Sequence, residues 1–340
     1  MPDYDALLLV SFGGPEAPDQ VMPFLENVLR GRNVPRERML QVAEHYQHFG
    51  GVSPINAQNR ALIAALEEDF AANGLKLPVY WGNRNWHPLL PEALQQMRDR
   101  GVRRALAFVT SAFSSYSGCR QYREDIARAQ AELGAAAPAI DKLRVFYNHP
   151  GFVEPMVEAV RACVDRVPQA ERSGMATLFT AHSIPTAMAA GCRYEVQLAE
   201  ACRLVAQGAA LPRWELVYQS RSGSPHQPWL EPDVCDRIRE LHAAGGLSRL
   251  LVVPIGFISD HMEVLYDLDC EARDLCNSLG VPMQRAATVG THPRFVRMIR
   301  ELAIERMTGA TERPALGALG ANHDVCPADC CLYTPARPAR

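Results

Sequence analysis

Short, largely apolar runs of strand type recur along the chain, and most neighbouring pairs leave room for one helix between them. The runs are Ala6–Phe12, Leu77–Trp81, Ala105–Thr110, Leu143–Tyr147, Ala176–Thr180, Trp214–Gln219, Leu250–Ile255 and Met283–Ala286. Between most of them the apolar residues change to helical spacing, as over Asn56–Ala72, Gln121–Leu133, Val153–Val167 and Pro293–Met307. A strand that is apolar on both faces has to be covered on both, the condition of a parallel sheet wrapped by helices. The pattern predicts an α/β chain whose eight strands form either one barrel or two four-stranded doubly wound sheets.

Two features favour two sheets. The stretch FYNHPGFV at Phe146–Val153 carries the Pro, Gly and Asn of a crossover near the midpoint. Each half opens with a strand that runs into an unusual turn, Ser11-Phe12-Gly13-Gly14-Pro15 in the first and Thr180-Ala181-His182-Ser183-Ile184-Pro185 in the second. In open α/β sheets ligands sit beyond the C-terminal ends of the strands, so both turns are expected to face one cleft. The expected division is an N-terminal domain over 1–150, a C-terminal domain over 151–309, and a Pro-, Gly- and Ala-rich extension over 310–340 that belongs to neither core.

Composition excludes several classes of function. With 340 residues and 48% apolar content the chain can bury one large core or two medium ones. A net charge of −3 gives no basic surface for nucleic acid. The longest strongly apolar stretch, Leu250 to Ile258, is broken by Pro254, and no run approaches the roughly 20 residues of a spanning helix. The acidic start MPDYD lacks the basic region of a secretory signal, so a cytoplasmic protein is expected. Ten cysteines are then too many to be idle in a reducing compartment, where clustered thiols bind metal or do chemistry. Three of them, Cys326, Cys330 and Cys331, lie within six residues near the end.

His182 ends the apolar strand LFTAH and is followed by a turn closed by Pro185. A histidine there can serve as base, acid or metal ligand, or can simply bond the turn backbone. The segment VPIGFISDHMEVLYDLDCE at Val253–Glu271 sharpens the choice. A helix capped by Ser259 or Asp260 would carry Glu263, Asp267 and Glu271 in one line, with Asp260, Asp269 and His261 adding to it. No Lys or Arg interrupts this run between Ser259 and Ala272. An acidic face at the favourable end of a helix dipole is one reading. A path of hard oxygen ligands for a divalent cation, meeting His182 at the cleft, is the other. Inserting a metal into a porphyrin needs such a set, because the macrocycle must lose two pyrrole protons and receive a cation.

Nearly the whole chain resembles the ferrochelatase family, with wording closest to actinobacterial members. The resemblance rests on SFGGPE at Ser11–Glu16, HFGGVSPIN at His48–Asn56, SAFSSYSGC at Ser111–Cys119, AHSIP at Ala181–Pro185, YQSRSGSPHQPWLEP at Tyr218–Pro232 and VPIGFISDHMEVLYDLD at Val253–Asp269. It implies two Rossmann-like domains of the class II chelatase kind with the porphyrin cleft between them. It implies His182 and Glu263 as the catalytic pair that also meets the Fe2+ substrate, and Asp267 and Glu271 as an acidic ridge able to hold a second cation. Phe12, Arg30, Tyr46, Ser53, Arg84 and Tyr122 fall where relatives contact the porphyrin. Many Gram-positive relatives have Tyr at the position of Phe12, and that tyrosine can ligate product iron. Phenylalanine cannot, so another ligand, His182 alone or with water, is expected here.

The resemblance also implies a [2Fe–2S] cluster on Cys326, Cys330, Cys331 and one internal cysteine, for which Cys119 matches best and Cys163 is the reserve. The spacing Cys-x3-Cys-Cys departs from the animal pattern. Over Asn56–Pro78, where animal enzymes carry an apolar lip, this chain has Glu67, Glu68 and Asp69. Coproporphyrin III, with four propionates, is therefore the expected porphyrin and protoporphyrin IX the alternative. Ferrous iron and transient contacts with neighbouring heme-pathway enzymes complete the expected partners. A dinucleotide enzyme is disfavoured, because the first turn reads GGPE and Pro15 removes a donor that a pyrophosphate would need. A non-catalytic bilobal carrier of haem, porphyrin or metal is the rival of another class, since fold alone does not exclude it.

Overall fold

The computed structural model describes residues 4–30, 34–222 and 227–334; residues 223–226 of the Tyr218–Pro232 run and 335–340 of the tail lie outside them. Eight strands form two parallel four-stranded sheets. The first contains β1 (Ala6–Ser11), β2 (Val79–Asn83), β3 (Arg104–Val109) and β4 (Ala139–Lys142), in the order β2-β1-β3-β4. The second contains β5 (Met175–His182), β6 (Trp214–Gln219), β7 (Arg249–Val253) and β8 (Met283–Arg285), in the order β6-β5-β7-β8. The same order in both sheets places one topological switch beside β1 and one beside β5, where ligand crevices form in such folds. Every residue of β1 is buried, which is why it reads as an unbroken apolar run.

The expected strand at Leu143–Tyr147 is not one. β4 lies earlier, over Ala139–Lys142, and only the amide of Leu143 extends its pairing, to Ala107 O at 2.9 Å. The apolar run after it is the buried crossover itself. Phe146 stacks on Phe108 with ring centroids 5.1 Å apart and meets Phe152 and Phe295 edge-on at 5.8 Å. Burial of aromatic side chains, not ladder formation, made this segment apolar.

Each sheet turns one face to its own helices. The other faces share a single core that includes Leu7, Phe108, Phe146, Phe152, Phe179, Leu251 and Phe295. The chain-order division at 150 and 309 is thus crossed by packing. The helix Pro293–Thr308 returns to the first half, where Arg300 pairs with Asp69 at 2.7 Å. Arg144, leaving β4, pairs with Glu305 of the same helix at 2.6 Å, and both side chains are buried. The tail meets the same core. Its described part packs against the core through Leu316, Leu319, Cys326 and Tyr333, and Asn148 holds it by donating to Leu316 O and Gly320 O.

Arg144 also donates to Pro314 O at 3.0 Å, so this one guanidinium joins the first sheet, the last helix and the tail. Its Nη1 has no hydrogen-bond partner among the described residues. Removing one member of such a pair strands a buried charge. Arg144→Met should therefore cost about 3–5 kcal/mol in denaturant unfolding, and Arg144→Met/Glu305→Met should cost less than the single change. Equal losses for the single and double variants would show that the pair is not coupled.

Candidate active site

His182 closes β5, with its Cα in register with that of Gln219 on β6. The turn beyond it is fixed by the Ser183 amide donating to Gln219 O at 2.8 Å and by Ser183 Oγ donating to Leu230 O at 2.8 Å. Tyr194 donates its hydroxyl to His182 O at 3.0 Å. The imidazole Nδ1 makes a short bond to Ser183 O. A carbonyl only accepts, so Nδ1 carries the hydrogen and Nε2 is the atom left for chemistry. Nε2 lies 3.7 Å from Oε1 of Glu263, and both side chains are part-exposed.

Glu263 reaches this position because the loop leaving β7 passes close over β5. Gly256 donates its amide to Thr180 O at 3.0 Å, and a Cβ at this position would stand 2.7 Å from Ala181 Cα. Only glycine permits that approach. The next helix differs from the expected one. It begins at Met262 with His261 before it and no side-chain cap, so neither Ser259 nor Asp260 caps it. Over Leu265–Ala272 it widens into a π-helix, then returns to α-helix over Arg273–Ser278. Such π segments are rare and gather at functional sites.

The acidic run divides in two. Asp260 and Asp269 both turn to Arg285 on β8, at 2.9 and 2.8 Å, and Asp269 also meets Arg273 at 3.0 Å. The cation that the run lacks in sequence is supplied from another strand. Glu263, Asp267 and Glu271 remain. Asp267 accepts from Ser220 Oγ and, at 3.2 Å, from Gln219 Nε2. Glu271 is exposed, and no ion pair is found for it among the described residues.

The electrostatics of the site come from this arrangement. Burial alone lowers the His182 imidazole, but the charge and hydrogen bond of Glu263, the bond to Ser183 O and the charge of Asp267 outweigh it and raise it from 6.5 to about 9. Burial raises Glu263, yet the facing imidazolium holds its carboxyl down, to about 2. Asp267 is raised from 3.8 to about 7, first by burial and then by Glu263 and Glu271, against the Ser220 hydrogen bond. Glu271 is raised as well, by burial and the charge of Asp233. An ion pair at the cleft is thus backed by a carboxyl that exchanges its proton near neutral pH, and then by one open to solvent.

The first half supplies the opposite wall. Gly13 takes the positive φ of +79° that turns the chain after β1. Phe12, at the lip of this turn, is 37% exposed. It meets Phe24 edge-on at 6.3 Å, and Phe24 in turn meets Tyr46 at 5.7 Å. Burial and the charge of Glu263 both raise the Tyr46 phenol, placing it on the same cleft as the acid. His45 stacks on Tyr266 at 3.7 Å, bringing the helix Arg36–His48 against the π-helix. Ser53 is buried beside Gly14, and Arg30 is exposed. Arg84 lies over the Tyr122 ring at 4.7 Å, and its Nε pairs with buried Asp125 at 2.7 Å. The carboxylate that Arg84 holds is therefore the protein's own.

The thiols converge at a second place. Cys119 is buried in the π-helical turn Tyr116–Arg120 that leads into the helix Gln121–Leu133, and Cys326 is close enough to raise its thiol. Cys330 and Cys331 have their sulfurs 3.6 Å apart. Arg120 donates to Ala328 O and Cys330 O, at 2.7 and 3.0 Å, which holds the tail against the first half. The Cys119 hydrogen bond and the charge of Lys142 hold the Cys326 thiol near 7 despite burial. Cys163 is elsewhere, donating to Arg285 O at 3.8 Å. His323 joins the group, its donor atom within 4.8 Å of those of Cys326 and Cys330.

Sequence reasoning missed Gly256, Tyr194, Arg285, the Gln219–Ser220 clasp on Asp267, and His323. The His-x2-Cys spacing before Cys326 was a usable signal for His323, and the Tyr218–Pro232 run contains Gln219 and Ser220. Nothing local marks Arg285.

The pair has a pH signature. Because the folded value of His182 lies above 6.5, its stabilising contribution is complete below pH 6.5 and disappears as pH rises through about 9. Glu263 contributes above pH 4.5 and loses this as pH falls toward about 2. In Glu263→Gln the His182 pKa should fall from about 9 toward 6.5 in an NMR titration of its ring nitrogens, and the alkaline loss of thermal stability should shrink. An unchanged titration would show that another group holds the imidazole.

Comparison with known proteins agrees with the geometry. The family model described as ferrochelatase matches residues 4–307. A protein of Rhodopirellula baltica described as ferrochelatase is 60% identical over 99% of this chain and 96% of its own length. One of Streptomyces coelicolor, described as coproporphyrin III ferrochelatase, is 54% identical over 99% of this chain and 95% of its own. Among solved structures, SirB from Bacillus subtilis with Fe3+ aligns with a TM-score of 0.53 at 13% identity, over 90% of this chain and 98% of that one, a likeness of fold. The chain belongs to the ferrochelatase family.

Proposed function

We propose that the protein inserts Fe2+ into coproporphyrin III, releasing two protons and giving coproheme, as a step of heme biosynthesis. The observation that carries this reading is the His182–Glu263 pair backed by Asp267 and Glu271. As the ligand-free protein stands, His182 is an imidazolium and cannot accept a proton. Its proton is held by the Glu263 carboxylate. When the ferrous substrate reaches Glu263, its charge cancels that support, and burial then favours neutral imidazole. The proton leaves toward Asp267, which exchanges near neutral pH, and Glu271 passes it to water. Nε2 is then a base able to accept the first pyrrole proton, pass it along the same carboxyls and accept the second. Nδ1, fixed on Ser183 O, keeps the ring oriented throughout.

Tyr46 and Phe12 form the porphyrin's wall in this reading, with Ser53 and Arg30 nearby. Arg84 and Tyr122 act through the Asp125 pair, shaping the first-half wall. Coproporphyrin is favoured over protoporphyrin by the names of the Streptomyces coelicolor and Nocardia farcinica relatives, the latter 49% identical. It is also favoured by the helix Ile55–Ala72, whose Glu67 and Glu68 are exposed where an apolar lip would lie. No helix among the described residues is long and apolar enough to cross a membrane, which is compatible with a cytoplasmic enzyme.

The same proposal includes a [2Fe–2S] cluster on Cys119, Cys326, Cys330 and Cys331. Two thiolates on one tetrahedral metal, with bonds of about 2.3 Å, stand about 3.8 Å apart. The 3.6 Å between Cys330 and Cys331 suits one iron, and Cys119 with its neighbour Cys326 would hold the other. Lys142, Arg120 and Arg123 supply positive charge and hydrogen bonds to the surrounding tail. When bound, the cluster supplies a one-electron redox centre and a cross-link; metal insertion itself requires no electron.

His182→Ala should reduce metallation of coproporphyrin III at least a thousandfold, followed anaerobically by absorbance, while porphyrin still binds. Wild-type protein that binds the porphyrin without accelerating metallation would make it a carrier. Faster turnover of protoporphyrin IX than coproporphyrin III would reverse the substrate assignment. Cys119→Ser should abolish the visible absorption of the purified cluster and Cys163→Ser should leave it intact; the opposite result would move the internal ligand.

A further inference from the structure

Four thiols satisfy the four terminal positions of a [2Fe–2S] cluster, yet a fifth donor points at the same place. His323 Nε2 lies 3.9 Å from Cys330 Sγ, and its reach includes Cys326. The two tail sulfurs that His323 approaches belong to different pairs, Cys330 with Cys331 and Cys326 with Cys119. The imidazole therefore stands between the halves of the thiol set.

Its position is built into the tail. Arg313 Nη1 donates to Asn322 O at 3.2 Å and to Asp324 Oδ2 at 3.0 Å, clamping the residues on both sides of His323. Asn322 itself is buried. The backbone that carries the imidazole is thus fixed by contacts that involve no cysteine.

Resting on the reading of these thiols as a [2Fe–2S] site, we propose that His323 is a positioning residue for that cluster. Its Nε2–H donates a hydrogen bond to the sulfur of Cys330 and so sets the reduction potential. Hydrogen bonds to cluster sulfurs are among the levers that set such potentials. Reduction adds one negative charge to an already anionic assembly of thiolates, sulfides and iron. A donor held at 3.9 Å from a ligating sulfur stabilises the more negative state more than the oxidised one, so it raises the potential. With four thiols present, the nitrogen has no vacant iron position to fill. The histidine also covers the exposed side of the site, since Cys119 and Cys331 are buried and His323 is exposed.

The test uses the full-length protein, purified anaerobically with its cluster and labelled with 15N-histidine. Pulsed electron resonance of the reduced cluster should show weak coupling to a histidine nitrogen, lost in His323→Ala. The His323→Ala cluster should assemble with wild-type iron and sulfide content but titrate at a more negative potential, and His323→Gln, which keeps an N–H donor, should recover part of the shift. Strong coupling typical of a metal-bound imidazole, or failure of His323→Ala to assemble a cluster, would overturn the proposal by making His323 a ligand. No coupling and an unchanged potential would overturn it by removing the contact. Wild-type protein without iron and sulfide would refute the cluster itself, and the inference with it.

Discussion

Everything at the cleft depends on one charge pair held at the end of a parallel sheet. His182 ends β5, Glu263 enters from the loop after β7, and the two meet at 3.7 Å because Gly256 lets that loop lie against Ala181. The fold contributes the convergence. Neighbouring parallel strands end side by side, so the turns that leave them share one crevice. The residues contribute the charge states. Neither group would hold its shifted proton affinity without the other, and an arriving divalent cation would undo the upward shift of His182 while keeping Glu263 ionised.

The acidic run shows how a chain can concentrate negative charge without repelling itself apart. Five carboxylates occur between Asp260 and Glu271 with no Lys or Arg among them. Arg285 removes two of these from the problem by binding Asp260 and Asp269. Asp267 relieves the remainder by drawing its affinity for a proton up to about 7. The result is a graded line, from a carboxylate locked to a histidine, through an exchangeable carboxyl, to an exposed glutamate.

Much of this was legible in the amino-acid order, for identifiable reasons. Buried parallel strands have no polar face, so seven of the eight were found within a few residues of their true positions. Leu143–Tyr147 misled because aromatic packing under a crossover produces the same apolar signature as a strand. His182, Glu263, Asp267 and Glu271 could be singled out because strand ends and four-residue spacing are local features. The helix cap was misplaced because Asp260 is engaged by Arg285, a partner 25 residues away that no local pattern reveals. The pairing of Arg84 with Asp125 is hidden for the same reason, since Arg84 follows β2 and Asp125 lies on the helix Gln121–Leu133. The shared core and the packed tail were invisible because both depend on contacts between segments more than 150 residues apart, as in Arg144 with Glu305.

The central claim is that the His182–Glu263 pair and the carboxyls behind it move the porphyrin's protons as iron enters. Single-turnover metallation of coproporphyrin III, in weakly buffered anaerobic solution with a pH indicator, measures this directly. Wild-type protein should release two protons per porphyrin at the rate of insertion, and Asp267→Asn should slow both signals together. Undiminished proton release and insertion in Asp267→Asn and in Glu263→Gln would contradict the claim.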